Sequence, residues 1–96
     1  MALHVIASFA ARPESFKQVR ELLISLIEPI RQDPGCIQCD LVTSADRPLE
    51  LLFVEQWRGA PELERHLADP GIASVVQQAA PMLARPFSLE RFTPVG

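Results

Sequence analysis

The stretch LELLFVEQW, residues 49–57, has no polar side if it is extended. Leu49, Leu51 and Phe53 would share one face with Glu55 and Trp57, while Leu52 and Val54 occupy the other. Such a run reads as a strand that needs cover on both faces. Immediately before it, ADRP (45–48) carries turn residues in Asp46 and Pro48. Before that, CIQCDLVTS (36–44) reads as another strand. The short connection between the two predicts an antiparallel hairpin.

The rest of the chain falls into place around this hairpin. ALHVIASFA (2–10) alternates as a strand, with Leu3, Val5, Ala7 and Phe9 opposite His4, Ile6, Ser8 and Ala10. After ARPES, the residues Phe16, Val19, Leu22, Leu23, Leu26, Ile27 and Ile30 recur at helical spacing, and Pro29 predicts a kink near the end of that helix. A short helix is expected from about Pro61 to Ala68, stopped by Pro70-Gly71. Residues 72–83 read as a further helical segment and 85–95 as a last strand. The order is β-α-β-β-α-β over one domain, 1–96. This is an α+β, ferredoxin-like arrangement with four antiparallel strands and helices on one face. The outer sheet face would carry Ile6, Ala10, Leu52 and Val54, so a homodimer packed sheet to sheet is expected.

Composition removes several functional classes. Nine basic and twelve acidic residues give a net charge of −3 without a basic block, which argues against nucleic acid as a partner. No apolar run reaches the roughly 18 residues of a membrane span. The first residues lack the basic start and small-residue cleavage site of a signal peptide, so a cytoplasmic location is expected. Asn and Tyr are absent, which excludes N-glycosylation and tyrosine acid/base chemistry.

The two cysteines, Cys36 and Cys39, have the spacing of redox or zinc sites. On a regular strand, positions three apart point to opposite faces, and redox pairs use a helix N-terminus that is missing here. His4 and His66 are the only histidines, and nothing in the sequence brings them near as further ligands. The pair is therefore read as structural, with no metal, and Cys39 as a core residue in phase with Ile37 and Leu41.

The segments PGCIQCDL, LLFVEQW and ELERHLADPGIASVV, taken in order, resemble the antibiotic biosynthesis monooxygenase family of dimeric α+β barrel proteins. That resemblance implies a cofactor-independent monooxygenase acting on a quinol or a phenolic, polyketide-like small molecule with O2. It implies an apolar pocket, a proton acceptor and groups that stabilise a substrate anion. His66 would be the base, Trp57 an aromatic wall or N–H donor, and Glu55 a group that orients an imidazole or holds a proton. Phe53, Phe9 and Leu51, with Ser8 and Cys39, would line the pocket. From the residues alone, Glu55 is expected to pair with an arginine, such as Arg91 or one from the partner subunit. The chain departs from the family pattern in carrying Gly71 where many members have a second histidine, and Cys39 where many have an aromatic. Those departures keep two alternatives open: a non-catalytic dimeric binding module, and an isomerase or lyase on the same scaffold.

Overall fold

The computed structural model describes residues 2–96. Strand β1 (Leu3–Ala10) leads through a 3-10 turn (Pro13–Ser15) into α1 (Phe16–Ile24) and α2 (Ile27–Gln32). The hairpin follows as β2 (Cys36–Thr43) and β3 (Glu50–Trp57), then α3 (Ala60–Leu67), α4 (Pro70–Ala79), a 3-10 turn (Ala80–Met82) and β4 (Ser88–Phe92). The sheet is antiparallel with order β2-β3-β1-β4, the ferredoxin-like topology.

Register sorts the strand residues by face. Opposite Trp57, Glu55, Phe53 and Leu51 on β3 stand Leu3, Val5, Ala7 and Phe9 on β1. This face packs under the helices and is buried through Val5, Phe9, Leu51, Phe53 and Trp57. From the helices, Val19, Leu23, Leu26 and Ile30 close over it, as their three-and-four spacing requires. The opposite face stays open: Val54 is 36% exposed, Val42 42% and Phe92 43%.

Three local details differ from the sequence reading. The first helix breaks at Ser25–Leu26, one turn before Pro29. The cause lies in Pro29 itself, which has no N–H to offer the carbonyl of Ser25 and whose ring crowds that carbonyl. Pro70-Gly71 opens α4 rather than ending α3. Pro70 takes the first helical position, and Asp69 caps the helix by accepting from the Gly71 and Ile72 amides at 2.8 and 3.3 Å. The third difference is in β2, whose register slips between Cys36 and Gln38. The extra residue, Ile37, is pushed out and left 52% exposed instead of joining the core. Cys36 then pairs with Trp57 and Cys39 with Glu55, so both thiols lie on the helix-covered face rather than on opposite ones.

Pro34-Gly35 docks α3 onto the sheet end. The Arg58 amide donates to the Gly35 carbonyl at 2.9 Å, and Arg58 Nε to the Pro34 carbonyl at 2.8 Å. A Cβ on Gly35 would fall 2.6 Å from Cβ of Glu62, so only glycine lets α3 come this close. One turn further along α3 is His66.

Candidate active site

His66 and Leu63 are the inward-facing residues of α3, three apart on one side of the helix. The His66 imidazole lies on the Trp57 indole, with ring centroids 4.6 Å apart and planes 28° from parallel. Trp57 is fully buried, and its Nε1–H donates to Glu55 Oε1 at 2.7 Å. The indole thus supports the imidazole with its face and the carboxylate with its edge.

Glu55 and His66 meet a cavity of about 410 Å3 between the sheet and the α3–α4 layer. Phe9 and Phe53 line it from the sheet, Val76 from α4 and Phe87 from the segment before β4. Phe9 stacks on Phe87 at 5.2 Å and meets Phe53 edge-on at 6.3 Å. No lysine or arginine lines the cavity; its polar side chains are Glu55, His66 and the exposed Gln77.

Of the residues singled out from the sequence, Glu55, His66, Phe53 and Phe9 come together at this cavity. Trp57 stands behind them as their support. Leu51 and Cys39 are buried on the same sheet face but do not line it, and Ser8 points to the opposite face because it alternates with Phe9. Within the chain, Glu55 bonds Trp57 and not the expected Arg91, which is exposed on β4. The α4 contributors Ile72, Ala73, Val76 and Gln77 were not among the residues singled out. Their signal is the i, i+4 spacing of Ile72 and Val76 within a segment read only as helical.

Burial sets the protonation of the site. It pushes the Glu55 carboxyl up from its ordinary range, against the smaller lowering effect of the Trp57 bond. It pushes His66 down, opposed by the charges of Asp33 and Asp69. The Cys39 thiol is pushed up to about 12, chiefly by burial and next by the Glu55 charge, so it rests protonated. Among the described residues, no group of three or more His, Cys, Asp or Glu side chains is arranged to hold a metal ion.

A stability test follows from the raised Glu55. The folded state keeps this proton at pH values where the unfolded chain has lost it, so Glu55 erodes stability as pH rises through and above the ordinary carboxylate range. Glu55→Gln keeps an acceptor for Trp57 and removes the buried charge. In urea melts the variant should be more stable than wild type at pH 8, with the gap closing by pH 4. A gap that widens toward acid would refute a buried, raised carboxyl. His66 acts in the opposite sense, costing stability as pH falls through the ordinary histidine range.

The family model described as "Antibiotic biosynthesis monooxygenase" matches residues 2–78. The chain is 34% identical over 91 residues to Rv0793 of Mycobacterium tuberculosis, which is named as a candidate monooxygenase, covering 95% of this chain and 89% of that protein. The solved structure of Rv0793 superimposes with a TM-score of 0.92 over 100% of this chain and 97% of that one, at 32% identity. A crystal structure described as an antibiotic biosynthesis monooxygenase gives 0.91 at 26% identity, covering 98% and 99%. SO0527 of Shewanella oneidensis gives 0.87 at 28% identity, covering 95% and 88%. Order of elements, register and these matches agree: the chain belongs to the antibiotic biosynthesis monooxygenase family.

Proposed function

We propose that this protein is a small monooxygenase that works without a cofactor, oxidising a quinol or a phenolic, polyketide-like molecule with O2. The observation that carries the reading is an aromatic-walled cavity whose inner end holds one imidazole and one carboxyl group, each pushed by burial toward its uncharged form. A neutral His66 takes a proton from an activated carbon or hydroxyl of the bound molecule. The resulting anion, unsolvated among Phe9, Phe53 and Phe87, passes one electron to O2, and the two radicals combine as a peroxide. His66 returns its proton as the O–O bond breaks. One oxygen atom stays as a carbonyl, and the other leaves as water with two hydrogens from the substrate, the one His66 took and returned and one lost from the oxidised carbon. Protonated Glu55 donates a hydrogen bond to the developing oxyanion.

Oxygen uptake with a panel of quinols and anthrone-like phenols, wild type beside His66→Ala, is the test. No uptake on any substrate, or equal rates for both proteins, would sink the reading. Turnover of the same molecules without oxygen would indicate an isomerase or lyase instead. Ligand binding without turnover would indicate a binding module.

The open sheet face supports a homodimer as the working form, since Ile6, Val54, Val42 and Phe92 leave an apolar stripe across the sheet. Val54→Glu places a charge at the centre of that stripe. Light scattering should show a dimeric wild type and a monomeric variant; a wild type that is monomeric at tens of micromolar would overturn the dimer. No helix among the described residues is long and apolar enough to cross a membrane. Two free thiols support a reducing, cytoplasmic setting.

A further inference from the structure

The aromatic cavity has an open end and a closed one. Its exposed lining residues, Leu67, Gln77 and Phe87, mark the open end. Beyond the closed end lies a second space, a cleft of about 240 Å3 whose polar lining includes Ser25, Asp33 and Asp69. Leu26, His66 and Ile72 line both spaces, so these three side chains form the partition between them. The two sides differ in chemistry. The cavity is walled mainly by phenylalanine and aliphatic residues, whereas the cleft carries two carboxylates and no lysine or arginine. Both aliphatic members of the partition owe their place to irregular backbone. Leu26, 5% exposed, sits in the break between α1 and α2 that Pro29 causes. Ile72 lies in the first turn of α4, where its amide donates to the capping Asp69 carboxylate at 3.3 Å.

We propose that Leu26 and Ile72 determine which molecules the site accepts. With His66 they stop the cavity short of the cleft, so it takes a flat aromatic of two or three fused rings. The ring edge that faces His66 then carries a hydroxyl or carbonyl and no longer side chain. Size supports this, because about 410 Å3 is near the lower end of ligand pockets, which run from roughly 300 to 1,000 Å3. Shape supports it too: Phe9 is stacked on Phe87 and meets Phe53 edge-on, so ring faces and edges line the space. A guest enters past Gln77 with its polar edge leading toward Glu55 and His66. A chain on its trailing edge stays in solvent at the open end. A chain on its leading edge runs into Leu26 and Ile72. Leu26 belongs to the packed core and Ile72 packs against it, so neither yields without disturbing that packing.

That the guest is a substrate rests on the monooxygenase reading; the partition does not, and titration calorimetry under argon tests it without turnover. Four probes share one ring system: 2-naphthol, 6-propyl-2-naphthol with its tail on the far edge, and 3-(3-aminopropyl)- and 3-(2-carboxyethyl)-2-naphthol with tails beside the hydroxyl. Wild type should bind the first two within about threefold of each other and the last two at least about tenfold more weakly, the scale of a pocket that lacks room for added methylenes. Ile72→Ala should breach the partition and let a tail pass into the acidic cleft. It should recover at least about tenfold for the aminopropyl probe and clearly less for the carboxyethyl one, which meets like charge there. Leu26→Val, a smaller deletion in the core, should repeat the pattern at lower amplitude. A wild type that binds the 3-substituted probes as tightly as 2-naphthol overturns the proposal, and so does one that binds none of the four. An Ile72→Ala variant that gains nothing, or gains equally for amine and carboxylate, overturns it as well. Oxygen uptake can fail with every quinol while these affinities hold, in which case only the oxygenase reading falls.

Discussion

His66→Ala should lower the oxidation rate by two to four orders of magnitude, the span usually lost with a general base. The imidazole is the group on the inner wall whose uncharged form can take a proton from a bound molecule. Wild type should lose activity toward acid as His66 becomes protonated. Because burial lowers the midpoint, that limb should lie on the acid side of the ordinary histidine range. In His66→Ala the same limb should be missing. A variant that keeps the limb, or runs within twofold of wild type, would mean that another group accepts the proton. Circular dichroism of His66→Gln, which preserves more of the side-chain volume, checks that the loss is chemical and not a collapse of α3.

Trp57→Ala should be the most damaging single change to stability, at about 3–5 kcal/mol for emptying the volume of a buried aromatic. Domains of this kind have only about 5–15 kcal/mol in total. At roughly 4–8 °C per kcal/mol for a chain of this size, the melting temperature should fall by more than about 10 °C. The same substitution strips Glu55 of its N–H donor and His66 of its platform. Trp57→Phe separates these effects by keeping a ring under His66 and deleting the bond to Glu55. It should cost about 1–3 kcal/mol where Glu55 is ionised, and less at lower pH, where a protonated Glu55 needs the donor less. Chemical denaturation across pH reads both. Equal losses for the two variants would assign the whole effect to the bond; a pH-independent loss in Trp57→Phe would assign it to packing.

Alternation made the sheet legible: the two apolar faces of β3, and Ile6 opposite the core-facing set of β1, foretell both the buried side and the open one. Helical spacing likewise marked Val19, Leu23 and Ile30 as core. What stayed hidden depends on backbone geometry that side-chain periodicity does not carry. Pro29 acts one turn upstream of itself, and a one-residue bulge at Ile37 turns two cysteines to the same face. Pro70 can end one helix or begin the next, and the Asp69 cap decides for the latter. At the site, the order of Glu55, Trp57 and His66 along the chain was visible. The bond from Trp57 to Glu55 was not, because an arginine partner was chemically just as suitable. The cleft behind His66 needed three dimensions, since Asp33 and Asp69 lie 36 residues apart and line it together only in the folded chain.

The stacking of Trp57 under His66 has an optical consequence. The chain contains one tryptophan and no tyrosine, so its near-ultraviolet emission comes from this indole alone. An indole in face contact with an imidazole is quenched more strongly when the imidazole carries a charge. The protein therefore has a native fluorophore against the candidate base. Its brightness should follow the protonation of His66 and the arrival of an aromatic guest beside it, with no label attached and no turnover required.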